Sequence, residues 1–421
     1  MRYLFVLAAA LAATATPTHA QQAPLIGAIA PQEAWNDADT VVVVRGSGLA
    51  SLSEVRLVPA GGGAPVALTR FVGPRGADRA DVVVPAGTPR GAYSVVAVDA
   101  AAGPGPAAAG RLTVLNRADP DVAGDHLVGT LDGSMAGPAG ARAVRIYYPA
   151  TRAGAGTPGD RRGAPHAVVA WGHAFKPFLF AAGVDHRNNA WIARWLASFG
   201  YVVVCPDLSK NTKYFGADAT GQANSSRDAG DLLAALAHAE RLGNDPTSPL
   251  FGLVDATRAA VGGHSRGGDA ALMAAARDVA ARGAAARVRA VVALSPPSTD
   301  SRDGRRPLRF GDLSGLPALL LGGSADRIAP FAEQRAILRL AGAGSAALEL
   351  DGANHSQFKD SAQRILSDGS PTMSLAAQHA AARRYVTAWL NRHVRDELRV
   401  APGFVPDAAR VDRRVRSLEL R

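Results

Sequence analysis

"AAVGGHSRGGDAALMAA", residues 259–275, surrounds one serine with very little side chain. An apolar run ends at Gly263-His264-Ser265-Arg266-Gly267, and an alanine-rich stretch follows. A buried strand turning directly into a helix is the context of a G-x-S-x-G nucleophile elbow. The glycines then have a steric reason. The serine takes a strained backbone conformation, and the chain enters and leaves at close quarters, where a Cβ has no room. The helix opening after Ser265 also aims its N-terminal amides at any developing oxyanion. The pentapeptide alone fits an ordinary glycine-rich strand–helix turn as well, so the rest of the chain has to decide.

A serine nucleophile needs a base, and in this context the chain order is serine, acid, histidine. Three histidines follow Ser265: His355, His379 and His393. The last two lie in a helical pattern, where packing or a solvated face is the expected role. His355 stands in "DGANHSQF", a loop just after an apolar run, at the strand end where ligands gather in open α/β sheets. The acid belongs at the end of the preceding strand, and "LPALLLGGSADRIAP" supplies Asp326 there. Its role would be to fix the imidazole tautomer and stabilise the imidazolium. A plain helix N-terminal Asp is the alternative. Asp300 and Asp303 are the runners-up, and Asp351 is too close in sequence to His355 to come first. Of the two amides of an oxyanion hole, one comes from the residue after the nucleophile, Arg266. The other comes from the loop "WGHAF", through the backbone of Phe175, with His173 the second candidate and a hydrogen-bonded loop histidine the preferred role for it.

The elements around these residues alternate. "HAVVAWGHAF", "YVVVCPDL", "RAAVGGHS", "VRAVVALSP", "LPALLLGGSAD" and "AALELDGANH" are apolar throughout, and helical patterns follow all of them but "VRAVVALSP", the last over 375–394. Such strands belong to a mostly parallel sheet covered on both faces, a doubly wound α/β domain. Residues 25–116 have a different grammar. Short β-branched runs such as "TVVVVRGSGL", "EVRLVPA", "ADVVVPAG" and "AYSVVAVDA" recur about every ten residues, with Gly and Pro turns between. That is the pattern of a small antiparallel sandwich. "RADPDVAGD" reads as a linker, and 399–421 as a polar, arginine-containing tail.

Composition narrows the function classes. The chain has 421 residues, 48% of them hydrophobic and 19% charged, enough core for two domains and too little charge for disorder. The net charge of +10 comes from scattered arginines. No basic run is interleaved with aromatics, which argues against a nucleic-acid partner. Residues 1–20 read as a signal peptide. Arg2 precedes a short apolar stretch, and Thr18-His19-Ala20 is a small-residue cleavage site, so a secreted or periplasmic protein with no membrane span is expected. Cys205 is the single cysteine and reads as a buried small hydrophobe. No metal-ligand spacing is evident, and the chemistry expected at Ser265 needs neither metal nor cofactor.

The motifs quoted carry two resemblances. Residues 125–398 resemble α/β-hydrolase serine esterases of the dienelactone hydrolase, platelet-activating-factor acetylhydrolase, chlorophyllase and cutinase-like polyester hydrolase branch. The likeness rests on "AVRIYYPA", "VVAWGHAF", "WLASFGYVVVCPDL" and "GHSRGG". Ala174 stands where that family usually has glycine. Residues 25–116 resemble the immunoglobulin-like IPT/TIG module through "PLIGAIAP", "VVRGSGL", "VVVPAGTPRGAYSVVAV" and "RLTVLN". The resemblance implies ester hydrolysis through an acyl-enzyme, with Ser265, His355 and Asp326 as triad. The "STDSRDGRRPLRFGDLSG" segment is too short for a helical cap, which suits small-molecule or polymeric esters. Trp171, Phe175, Phe178 and Phe180 are candidates for an apolar wall, and the N-terminal module for docking on a surface or polymer. A serine peptidase, or a secreted binding protein with an incidental hydrolase fold, remains the alternative.

Overall fold

Strands that are apolar on both faces must be covered from both sides, and this requirement organises most of the chain. The computed structural model describes residues 23–35, 39–60, 62–89, 91–115, 123–175, 185–215, 219–300, 303–361, 365–395 and 412–421. The signal-peptide reading of 1–20 lies outside them. The chain divides into two units, Met1–Arg117 and Ala118–Arg421.

The first unit contains β1 (Leu25–Ala30), β2 (Glu33–Trp35), β3 (Thr40–Ser47), β4 (Leu52–Pro59), β5 (Val66–Leu68), β6 (Arg79–Val84), β7 (Gly91–Asp99) and β8 (Gly103–Leu115). They form two sheets, β1-β3-β6 and β2-β8-β7-β4-β5. Alternation along β3 buries Val42 and Val44 while Val41 faces out. Val42, Val44 and Val82 of one sheet share a core with Val55, Leu57, Val95 and Leu112 of the other.

The second unit runs β9 (Leu127–Gly137), β10 (Gly140–Ala150), β11 (Gly154–Ala155), β12 (His166–Gly172), α1 (Ala190–Ser198), β13 (Tyr201–Pro206), α2 (Gly221–Asn244) and β14 (Val254–His264). It continues with α3 (Arg266–Arg282), β15 (Val288–Leu294), β16 (Thr299–Asp300), β17 (Asp303–Pro307), β18 (Ala318–Gly323), α4 (Phe331–Leu338), β19 (Ala346–Leu350), α5 (Leu375–Val394) and β20 (Val415–Leu420). Ten strands make one sheet in the order β11-β9-β10-β13-β12-β14-β15-β18-β19-β20. From β13 to β19 all neighbours are parallel. Alternate side chains serve opposite faces. Val291 and Ala293 of β15 pack with α2, α3 and α4, whereas Val292 and Leu294 pack with α1 and α5. The parallel strands therefore all deliver their carboxyl ends, and the loops that follow, to one edge of the sheet.

Three features depart from the sequence reading. β9 pairs with β10 along its whole length, yet "LVGTLDGSMAG" is too rich in Gly, Ser and Asp to read as a strand. It is held by its partner rather than by propensity. The segment read as a polar tail ends in β20, which pairs antiparallel with β19, Leu418 opposite Leu348. Its arginines hid a six-residue edge strand whose Val415 and Leu418 pack on the core. The β15–β18 connection carries the β16–β17 hairpin, which no strand pattern in the sequence announces. Cys205 is buried in β13, where desolvation pushes its thiol up.

Residues 412–421 cover one edge of the sheet, and Asp412 accepts a hydrogen bond from the Tyr385 hydroxyl of α5 at 2.7 Å. Removing them is expected to lower the melting temperature by ~5 °C or more, because a few kcal/mol of pairing and packing are lost. It should also promote association through the bared β19 edge. Thermal unfolding and size-exclusion chromatography would check both.

Candidate active site

Ser265 stands between β14 and α3 with φ 55° and ψ −124°, a conformation that non-glycine residues avoid. Its N–H donates to Leu294 O at 2.8 Å, and its carbonyl accepts from Gly268 and Asp269 at 2.8 and 3.1 Å. The neighbouring glycines have no alternative. A Cβ on Gly263 would lie 2.4 Å from the Gly267 carbonyl, and one on Gly267 would lie 2.3 Å from Gly172 O at the end of β12. Ser265 occupies the N-cap position of α3 without making a side-chain cap, so its hydroxyl is not used by the helix. It is half-buried among buried neighbours.

Asp326 and His355, expected as partners, meet. His355 Nδ1 and Asp326 Oδ2 are 2.9 Å apart, both residues buried. Asp326 Oδ1 accepts the N–H groups of Ile328 and Ala329, each at 2.8 Å. A carboxylate holding two backbone donors is an acceptor, so the imidazole places its proton on Nδ1 and leaves the Nε2 lone pair available. The His264 ring lies 4.7 Å from the His355 ring. Burial pushes His264 well below the ordinary histidine range, and it stands neutral.

Asp300 and Asp351 make other contacts. Asp300 accepts from Gly221 N at 3.0 Å and Gln222 N at 3.2 Å and so caps α2. Asp351 is exposed, 3.4 Å from the Ser324 hydroxyl. Asp303 opens β17, and its side chain lies outside the described residues. His379 stacks on Trp191 at 4.0 Å, its Nε2 between two backbone carbonyls, and burial pushes it down to about 4. His393 packs on Trp389.

The loop after β12 is pinned from below. His173 Nε2 accepts from Leu208 N–H at 2.9 Å, so its Nδ1–H donates to Ala174 O at 2.7 Å. The Arg266 side chain, which the sequence reading did not use, reaches the same loop. Its guanidinium lies 2.7 Å from Asp228, donates to the Thr212 hydroxyl at 2.8 Å, and sits 5.1 Å from the Phe175 ring centroid. Trp171 belongs to the core under the sheet, against Gly262, and not to a cleft wall. Phe178 and Phe180 lie outside the described residues. Among the described residues no group of three His, Cys, Asp or Glu side chains is placed to hold a metal.

The model of one family matches residues 103–417, about three-quarters of the chain, and its description is PET hydrolase-like. The chain belongs to the PET hydrolase-like family. It is accordingly an ester-bond hydrolase of the α/β-hydrolase fold, on a polyester-hydrolysing branch. No curated protein matches it. In this PET hydrolase-like chain the loops after β12, β13, β18 and β19 carry the exposed apolar residues Phe175, Phe215, Ile328 and Leu366. All four loops leave the edge of the sheet that carries Ser265. Phe215 and Leu366 are 90% and 94% exposed.

Gly267→Ala is expected to cut kcat at least ~10-fold, because its Cβ must displace the β12 carbonyl edge. Gly268→Ala meets its nearest atoms at 3.3 Å and should cost much less. Ester turnover by the two purified variants checks the contrast.

Proposed function

We propose that the chain is a secreted serine carboxylic-ester hydrolase in which Ser265, His355 and Asp326 form the triad. The observation that carries this reading is the 2.9 Å His355–Asp326 contact on the strand edge where Ser265 is held strained, in a chain of the PET hydrolase-like family. His355 Nε2 takes the Ser265 proton as Oγ attacks the ester carbonyl. The amides of Arg266 and Phe175 receive the developing oxyanion, the first from the N-terminus of α3. Collapse expels the alcohol, protonated by His355, and leaves an acyl-serine. Water activated by the same imidazole then releases the acid. Asp326 holds the ring and stabilises the imidazolium.

The substrate is a polymeric ester. The exposed apolar side chains on four neighbouring loops suit a flat, poorly soluble chain, and no described helix covers this edge between β15 and β18. Residues 25–116 act as an immunoglobulin-like IPT/TIG module that docks the enzyme on its surface or polymer. The first 20 residues are a signal peptide removed on export.

Hydrolysis of p-nitrophenyl esters and of a polyester film tests the triad. Ser265→Ala should lose about 10⁴-fold or more in kcat while remaining folded. Asp326→Asn should lose ~10³–10⁴-fold, since the wrong histidine tautomer forms. Asp300→Asn should stay within about tenfold of wild type and lose ~1 kcal/mol of stability through a weaker cap. Activity of Ser265→Ala near wild type would remove the assignment.

A chain beginning at Ala118 tests the module. It should keep turnover of a soluble ester and lose only activity on the film, through lower effective concentration at the surface. Equal loss on both substrates, or a melt without cooperativity, would rule out a separate docking role.

A further inference from the structure

Asp326 and His355 sit on different loops, after β18 and β19, and the single cysteine of the chain leaves no covalent tie between them. One dipeptide touches both loops on both sides of these two residues. Asp368 Oδ2 accepts from Ser356 N at 2.8 Å and from the Ser356 hydroxyl at 2.7 Å, next to His355. Its Oδ1 accepts from Arg327 N at 3.3 Å, next to Asp326. Gly369 completes the bracket. Its carbonyl accepts from Asn354 Nδ2 at 2.9 Å, and a Cβ at Gly369 would lie 1.9 Å from Ala325 O. The residues before and after each of the two triad members are therefore in contact with Asp368 or Gly369. Asp368 and Ser356 are buried, and the Ser356 hydroxyl in turn accepts from Ile365 N at 2.9 Å. A charge-assisted bond to a buried carboxylate is about twice as strong as a neutral one, which suits a geometric tie.

We infer that Asp368 is a positioning residue of the hydrolase, locking the acid loop to the histidine loop so that the Asp326–His355 contact is set before substrate arrives. The inference rests on the triad reading above. Asp368 reaches no substrate atom in this role; it acts through the placement of the imidazole. Misplacement of about 1 Å is enough to cost up to a hundredfold in rate. The loss falls on kcat, because the apolar rim that binds the substrate is not carried by this tie alone.

The experiment measures kcat, KM and thermal unfolding on a soluble p-nitrophenyl ester for wild type, Asp368→Ala, Asp368→Asn, Ser356→Ala and, in parallel, Ser265→Ala. Asp368→Ala should lose ~10- to 100-fold in kcat with KM within about twofold. Asp368→Asn keeps the shape and one acceptor oxygen and should recover part of the loss. Lys359 faces the Asp368 charge, so the alanine variant can lose its fold. In that case Ser356→Ala decides, since it removes the hydroxyl's bonds to Asp368 and to Ile365 N and keeps the Ser356 backbone donor to Asp368. It should lower kcat severalfold at unchanged KM. A cooperative melt with kcat within twofold of wild type, or a loss carried by KM alone, overturns the inference. If Ser265→Ala is inactive in the same series, the triad reading survives that outcome. If Ser265→Ala stays active, the triad reading fails and the inference falls with it.

Discussion

The crossing of α3 over the end of β12 is the constraint on which the site depends. Gly267 lies so close to the Gly172 carbonyl that no side chain fits, and Gly263 faces Gly267 from the strand side. The chain can make this turn only by putting one residue in a disfavoured conformation, and that residue is Ser265. Such strain costs on the order of 1–3 kcal/mol and persists only where the surroundings over-determine it. Here they do. The Ser265 amide is bound to β15, its carbonyl to the first turn of α3, and the strands on either side are buried on both faces. The outcome is a hydroxyl held out at the carboxyl edge of a rigid sheet with no helix-capping duty.

Beneath that turn lies a charged layer that an apolar core would not need. Arg266 meets Asp228; Asn211 bridges Asp228 and Asp231; Arg142 donates to Asp231 and to Asn211. Two guanidinium groups thus face Asp228, Asp231 and, one turn into α3, Asp269. Burial pushes Asp269 well above the usual carboxylate range, with Arg266 offsetting only part of it, and burial raises Asp228 as well. Ion pairs of this kind seldom add net stability, but losing one partner is costly, which restricts where the others can sit. The layer's geometric effect is definite: the guanidinium after the proposed nucleophile is fixed from below and sits over the Phe175 ring.

Much of this was legible from residue order. A glycine-flanked serine after an apolar run, an acid after the next-but-one strand and a histidine after the last parallel strand named Asp326 and His355 as a pair, and the structure brings them into contact. The helix expected over 375–394 is α5. What escaped the reading is what pairing and folding back create. β9 and β20 are strands because of their neighbours, not their composition. The Arg266–Asp228 pair joins the first residue of α3 to α2, 38 positions earlier, and no local pattern announces it. Asp368 sits in "SDGSP", which reads only as a turn. Trp171 looked like a cleft residue because it is aromatic and near the site, but its place in β12 turns it into the core.

The two halves of the site are held in different ways, and this bears on how the enzyme meets a polymer. Ser265 and the amide of Arg266 belong to the sheet and to α3, buried without a break over Arg266–Ala276, where packing leaves little freedom. Asp326 and His355 belong to loops whose backbone is tied by side-chain hydrogen bonds, from Asn354, Ser356, Gln378 and Asp368, and which bury Ala329, Ala353 and Phe358. The exposed apolar residues Ile328, Ile365 and Leu366 extend from those same loops. A surface that presses on this rim therefore presses on the elements that carry the proposed acid and base, whereas the serine is insulated by the sheet. Exposed apolar residues and the proposed acid and base can share one loop only if something else fixes its backbone. Buried hydrogen bonds satisfy that requirement without covering the rim.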